Sequence, residues 1–200
     1  MPQNLWPFQT PGIPDQTFDR IPGIPLSPRE VRVLILSQMR LRSTDCLWDI
    51  GAGTGTISVE AGLICHEGQV LAVERDDEVV DLIQRNCKKF GLTNVQAIQG
   101  TAPDCLQTLN PAPDRICLEG GEPLALILEH SWQHLKVGGR LVATATSLES
   151  LYILSSALAA VRARQVEVTQ SVVNRLEQRG RGQRFVALDP VFVLSGEKLD

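Results

Sequence analysis

The apolar positions of this chain fall into two alternating rhythms. Short runs of strand length cover Cys46–Ile50, Gln69–Glu74, Val95–Ile98, Asp114–Leu118 and Arg140–Ala145. Between them the spacing widens to one apolar residue every three or four, the period of a helix with one buried face. Ile57, Ala61 and Ile64 mark a helix beyond Thr56, with Thr54 or Thr56 available as N-cap. Val79, Val80, Ile83, Cys87 and Phe90 mark another over Asp76–Phe90, stopped by Gly91. Further helices are predicted over Pro123–Lys136 and Leu148–Arg164. An earlier one opens at Ser27-Pro28-Arg29-Glu30, with Ser27 as N-cap, Pro28 at the first helical position and Glu30 closing a capping box. The chain ends in two predicted strands, Gln165–Asn174 and Arg184–Leu194, joined by a loop rich in glycine and arginine. Strands alternating with helices predict an α/β fold, a doubly wound, mostly parallel, seven-stranded sheet. Ligands of such sheets bind beyond the carboxyl ends of the strands, so the loops opening at Gly51, Glu74, Gly100, Glu119 and Thr146 are the ones expected to line a site.

Residues 1–28 depart from this rhythm and hold seven of the twelve prolines. Repeated X-Pro steps exclude helix and favour extended chain. The organisation expected is an extended arm over residues 1–26 and a single domain over residues 27–200. Trp6, Phe8 and Phe18 imply that the arm packs on its own domain or on a neighbouring subunit. Two hundred residues, 43% apolar and 21% charged, suffice for one sizeable core. The net charge of −4 argues against a general polyanion-binding surface, so nucleic acid is not an expected partner. Five scattered cysteines, with no C-x-x-C pair, read as reduced residues rather than a disulfide frame or zinc site. No apolar stretch reaches membrane-spanning length and the N-terminus lacks a signal peptide's pattern, which leaves a cytoplasmic protein with no membrane association as the expectation.

The chemistry concentrates in Cys46-Leu-Trp-Asp49-Ile-Gly51-Ala52-Gly53-Thr54-Gly55-Thr56, a strand ending near an acid and running into alternating glycines at a helix N-terminus. Glycine there lets a ligand approach the backbone, and the helix end presents unpaired N–H groups. The dinucleotide fingerprint requires a sixth-position glycine, where this chain has Thr56. Asp49 suits a ligand bearing an ammonium group better than a pyrophosphate. Glu74, twenty-three residues beyond Gly51 and at the end of the next strand, can accept both hydroxyls of a ribose. The order acid, apolar, Gly-x-Gly-x-Gly resembles motif I of the class I S-adenosylmethionine (SAM) methyltransferases.

A narrower resemblance covers nearly the whole chain. Gly23-Ile-Pro-Leu-Ser-Pro-Arg-Glu-Val-Arg32, Asp49–Gly55, Gly100-Thr-Ala-Pro103 and Gly120-Gly121 resemble the decarboxylating cobalt-precorrin-6B (carbon-15) methyltransferases of cobalamin biosynthesis. So do Pro11-Gly-Ile-Pro-Asp-Gln-Thr-Phe18 near the start and Asp189-Pro-Val191 after the arginine-rich loop. The resemblance implies a Rossmann-like sheet with an antiparallel last strand, and a SAM-dependent enzyme that methylates carbon 15 of a precorrin and removes the ring C acetate carboxyl. It implies SAM held by Asp49, Gly51, Ala52, Gly53, Thr54 and Gly55, by Glu74 at the ribose, and by Gly100, Thr101 and Ala102 near the adenine. Ser27 stands where the family commonly has a cofactor-contacting threonine; its hydroxyl contacts the cofactor, caps the helix, or does both. The sequence departs from the family where Thr101 replaces a common aspartate and where Glu119-Gly-Gly-Glu-Pro123 replaces a glycine-rich Gly-Gly-Ser-Gly-Gly turn on the substrate side. The resemblance also implies a homo-oligomer, a tetramer.

The tetrapyrrole substrate is a polycarboxylate, and Arg175, Arg179, Arg181 and Arg184 cluster with only Glu177 opposing them. Guanidinium forks suit carboxylates, so Arg179, Arg181 and Arg184, with Gly120 and Gly121, are the candidate substrate contacts; a solvated hairpin loop is the alternative. Glu119 is either an acid or base in the cleft or a cap for the following helix. No nucleophile elbow is present, and the macrocycle itself can supply the electron density for methylation and take up that of decarboxylation. His130 and His134 lie four residues apart with no third ligand evident, so no metal is expected. An RNA or protein methyltransferase on the same sheet, of the tRNA adenine or isoaspartyl type, and a non-catalytic SAM-binding scaffold are the competing functions.

Overall fold

Every residue of Cys46–Ile50 (β1) is buried, and the sheet extends from it in both directions. A computed structural model describes residues 5–200, apart from the Arg179 side chain. β1 pairs in parallel with Gln69–Glu74 (β2) on one side and with Arg115–Leu118 (β4) on the other. Val95–Gln99 (β3) and Arg140–Ala145 (β5) extend the parallel set, and Val191–Glu197 (β9) runs antiparallel between β5 and Arg164–Ser171 (β6). The order of the seven-stranded sheet is therefore β3-β2-β1-β4-β5-β9-β6, as expected for the doubly wound class with an antiparallel last strand.

Because strand side chains alternate in direction, β1 supplies both faces. Trp48 and Ile50 pack with Ile127, Leu128 and Trp132 of Leu124–His134 (α4) and Leu154 and Leu158 of Leu148–Ala160 (α5). Leu47 packs oppositely, with Val31, Ile35 and Met39 of Arg29–Met39 (α1) and Ile57 and Ala61 of Thr56–Ile64 (α2). Asp77–Lys89 (α3), capped by the Asp76 side chain, brings Ile83 and Cys87 into a third cluster. Each fully buried aliphatic side chain stabilises the fold by roughly 1.5–3 kcal/mol relative to exposure.

The arm completes that third cluster. Ile13 and Phe18 are buried, and Phe18 stacks on Phe90 with ring centroids 5.3 Å apart. Arg32, fully buried on α1, donates to Glu60 Oε1 (2.8 Å), Asp15 Oδ1 (2.7 Å) and the carbonyls of Ser27 and Ile13. One guanidinium thus ties the arm, α1 and α2 together.

Three local expectations give way to tertiary contacts. The capping box at Ser27 does not form: α1 is preceded by Pro28 with no side-chain cap, the Ser27 hydroxyl donates to Glu119, and Glu30 accepts from Arg175. Hydrogen bonds with a charged partner are roughly twice as strong as neutral ones, so the distant partners win over the local cap. The N-cap of α2 is Gly55 (φ +77°) rather than a threonine, and Thr54 Oγ1 donates instead to the Pro25 carbonyl at 2.8 Å. The C-terminal pair of strands is four: between β6 and β9 the chain forms an antiparallel ribbon, Asn174–Arg179 (β7) and Gly182–Ala187 (β8), separate from the main sheet. The segment is too polar to join a buried sheet, and the tight turn beside Gly180 (φ +61°) pairs its backbone locally. Arg175 at the ribbon's base holds Glu30 in a charged clamp, bonds Asp15 at 2.8 Å, and brings the Glu30 carboxyl down to about 2.

Candidate active site

Strand order reverses between β1 and β4: β1 leads to α2 on one face, β4 to α4 on the other. The crevice left at their carboxyl ends is where an open α/β sheet binds ligands. Here it is a cleft of about 660 Å³, within the size range of small-molecule sites.

Its floor is the glycine turn. Gly51 (φ +76°) and Gly53 (φ +51°) hold a backbone conformation that side chains disfavour, and the N–H groups of Gly51 and Ala52 are tied to the Val73 carbonyl at 3.0 and 3.1 Å. A Cβ on Gly51 would stand 3.6 Å from the Gly120 carbonyl, closing the gap between this turn and the end of β4. Glu74, at the end of β2, accepts from Gly53 N at 3.1 Å and from Arg75 N at 2.8 Å, which fixes its carboxylate beside the turn.

Of the residues anticipated from sequence, Ser27, Gly51, Ala52, Gly53, Thr54, Glu74, Gly100, Thr101, Ala102, Glu119, Gly120 and Gly121 line this one cleft. Asp49 and Gly55 stand behind it; Gly55 lets α2 approach α3, with a Cβ there 3.1 Å from Ile83. Arg181 and Arg184 lie on the exposed ribbon and not on the cleft wall, Arg184 facing Glu177 across the ladder; the Arg179 side chain is outside the described residues. Glu119 does not cap α4, which starts after Pro123. His134 stacks on Trp48 at 5.4 Å, and among the described residues neither it nor His130 joins a group of three ligand-type side chains. Pro25, Leu26, Val31 and Val191 also line the cleft and were not among the site residues anticipated from sequence. They stand within the stretches Gly23–Arg32 and Asp189–Val191 that carry the family resemblance, but apolar residues give no chemical sign of a binding role; the packing of the arm, α1 and β9 brings them to the cleft.

The cleft is electronegative at its base. Burial first, then the Glu119 and Glu74 carboxylates, push Asp49 up to about 7, opposed by the Ser58 hydroxyl. Burial also raises Glu119, against the pull of Ser27 and Arg32. Asp49 Oδ1 is fully buried with no hydrogen-bond partner. All five cysteines are free thiols, and burial holds Cys117 well above the usual thiol range, so it is no nucleophile at neutral pH.

A positive ligand with a nucleoside at one end fits these features: a carboxylate for a ribose, a glycine turn that admits the backbone contact, an unsatisfied acid beneath. SAM carries a sulfonium and an ammonium on such a scaffold, and the fold with this site defines a class I SAM-dependent methyltransferase. The model of the precorrin methyltransferase domain matches residues 23–198, and the chain belongs to that family. A relative from Pyrobaculum calidifontis, named probable cobalt-precorrin-6B C(15)-methyltransferase (decarboxylating), is 41% identical over 193 residues, 95% of this chain and 97% of its own. A relative of the same name from Saccharolobus solfataricus is 37% identical over 196 residues, 96% of this chain and 98% of its own. The solved precorrin-6y C5,15-methyltransferase structure from Geobacter metallireducens superposes with a TM-score of 0.88 at 31% identity, covering 96% of this chain and 100% of that one.

Proposed function

We propose that this chain transfers the methyl group of SAM to carbon 15 of a precorrin and removes the carboxyl group of the ring C acetate, as a step of cobalamin biosynthesis. The observation that carries the reading is the cleft that brings together the glycine turn, Glu74 and Glu119, in a chain whose relatives bear that name over almost its whole length.

When bound, SAM supplies an electrophilic methyl on a positively charged sulfur. The chain's residues bind and orient. Glu74 takes the ribose hydroxyls, Gly100, Thr101 and Ala102 flank the adenine, and Gly51–Gly55 admit the methionine portion, with Asp49 below and Ser27 above it. The acidic base favours the cationic donor over its uncharged-sulfur product, which aids release after transfer. The walls would hold the acceptor carbon in line with the methyl carbon, on the side opposite the sulfur and about 3–3.5 Å from it, so that the new C–C bond forms as the C–S bond breaks. Excluding water from the cleft strengthens the electrostatics within it. The macrocycle holds the electron pair freed by carbon dioxide loss, so no protein nucleophile is needed.

The Arg175–Glu30 clamp ties the ribbon to α1, whose Val31 lines the cleft, and Arg181 and Arg184 on the ribbon suit the substrate's carboxylates. Gly120 and Gly121 leave the substrate side of the cleft open. The enzyme acts in the cytoplasm as a homo-oligomer, a tetramer. In support, β6 is an unpaired edge with Val166 and Val168 about half exposed, and Leu176 and Phe185 are exposed on the ribbon. Light scattering on the eluting protein tests the assembly. Among the described residues no helix is long and apolar enough to cross a membrane.

The test of function is incubation of the purified protein with SAM and either a precorrin-6B or bulk tRNA. A change in the visible spectrum with stoichiometric carbon dioxide release, and no methylated RNA, is the expected result. Methyl transfer to tRNA alone overturns it.

A further inference from the structure

The base of the cleft holds two acids that the methyl-transfer reading does not fully use. Asp49, on β1, and Glu119, just past β4, present oxygens that lie within 4.8 Å of each other and of the Cys117 sulfur. Asp49 accepts from Ser58 of α2 through one oxygen, and its other oxygen is sealed in without a partner. Glu119 accepts from Ser27 on the strap before α1 and faces the cleft. Among the described residues no lysine or arginine forms an ion pair with either acid. Arg32 is the cation whose charge reaches Glu119, and its own donors are committed to Glu60, Asp15, Ser27 and Ile13. Glu74, from β2, adds further negative charge. Cys117 stays neutral between them.

With Asp49 fully buried and Glu119 half-buried beside it, the two carboxyls resist ionising together without a cation. The cleft offers the place for one. Gly51 carries no side chain where a Cβ would face the Glu119–Gly120 backbone, and on the proposed reading the methionine end of SAM, with its α-ammonium, lies against this glycine turn. We propose that Glu119 is the carboxylate that receives the donor's α-ammonium, and that Asp49 and Glu119, coupled through their charges and not by a hydrogen bond, hold one proton between them that departs as the ammonium arrives. The donor keeps its own protons. The one released to solvent comes from the pair, whose charge passes from −1 to −2 beside the incoming +1. Glu119 is the contact and Asp49 the positioning partner that keeps the shared proton in the empty protein. The upward displacement of both carboxyls agrees with this arrangement.

This inference rests on the methyltransferase reading, and its test separates the two. Calorimetric titration at pH 7 with S-adenosylhomocysteine, which retains the ammonium, in phosphate and in Tris buffer measures the protons exchanged on binding. The wild-type protein is expected to release about half to one proton per ligand. 5′-Methylthioadenosine, which has the nucleoside but no ammonium, is expected to bind with no release. Glu119→Gln is expected to bind S-adenosylhomocysteine about tenfold more weakly and to lose most of the proton release, with its circular dichroism spectrum intact. Binding of S-adenosylhomocysteine to the wild type without proton release overturns the inference and leaves the methyltransferase reading standing. Equal release with both ligands overturns it as well, without recourse to any variant. No binding of either ligand overturns the methyltransferase reading and this inference together.

Discussion

The Ser27 hydroxyl donates a hydrogen bond to the Glu119 carboxylate across 92 residues of sequence. The contact joins the strap before α1 to the end of β4, so the two walls of the cleft are linked by the residues that line it. The strap is held from behind as well, by the Pro25 carbonyl on Thr54 and by Arg32 on the Ser27 carbonyl. The strap, α1 and the glycine turn are therefore tied together on one side of the cleft.

Glu74→Gln removes the charge that, on the proposed reading, makes this side chain a strong acceptor for ribose hydroxyls. Donor affinity is expected to fall about tenfold, equivalent to about 1.4 kcal/mol, within the range for a charge-assisted hydrogen bond. Because Glu74 is only half-buried, the melting temperature should barely move. Calorimetry with S-adenosylhomocysteine and a thermal melt check both halves.

Arg181→Ala combined with Arg184→Ala should raise the apparent KM for the tetrapyrrole severalfold and leave donor affinity unchanged, since neither residue borders the cleft. Steady-state kinetics varying each substrate in turn distinguish this from a general loss. An equal loss for both substrates would contradict the ribbon's assignment.

Arg32→Met leaves Glu60 buried without its partner and unpins the arm at Asp15 and Ile13. Removing one member of a buried ion pair costs about 3–5 kcal/mol. Urea denaturation should show that loss in the midpoint.

Gly55→Ala meets two penalties, a left-handed φ of +77° and a Cβ placed 3.1 Å from Ile83. Gly91→Ala meets only the first, since its φ is +69° and nothing lies within 4 Å. The Gly91 variant should lose about 1–2 kcal/mol and the Gly55 variant measurably more, by thermal melting. The difference between them reports the packing of α2 on α3.

Asp49 gives a stability signature with a definite sign. Its carboxyl sits higher in the folded protein, at about 7, than the ordinary 3.8 of an exposed aspartate. A raised carboxyl favours the folded state at low pH, and that advantage is lost as pH rises from about 4 through about 7. Asp49→Asn cannot ionise, so the variant should gain on the wild type across that window. At pH 8 the ligand-free variant should be the more stable, with the gap narrowing toward pH 4. Denaturant midpoints across that range test the trend.

The sequence by itself determined the alternation of strands and helices through α5, the glycine turn after β1 and the acid at the end of β2. These features are written in local period and in residues with special backbone freedom, and the alternation of elements forces them to one end of the sheet. The tertiary structure alone decided where the charged and hydroxyl side chains pair. Ser27 reads as a helix cap because only its neighbours are visible in sequence; folding brings Glu119 to it. Arg32 reads as one more helical residue, and is the buried hub of the arm. Arg175 reads as part of a loose basic loop, and is the clamp on α1. The β7–β8 ribbon was hidden for a related reason, since its pairing answers to backbone groups and not to an apolar face. Periodicity reports which way a side chain points, whereas the partner of a charge is chosen by what the finished chain places within about 3 Å of it.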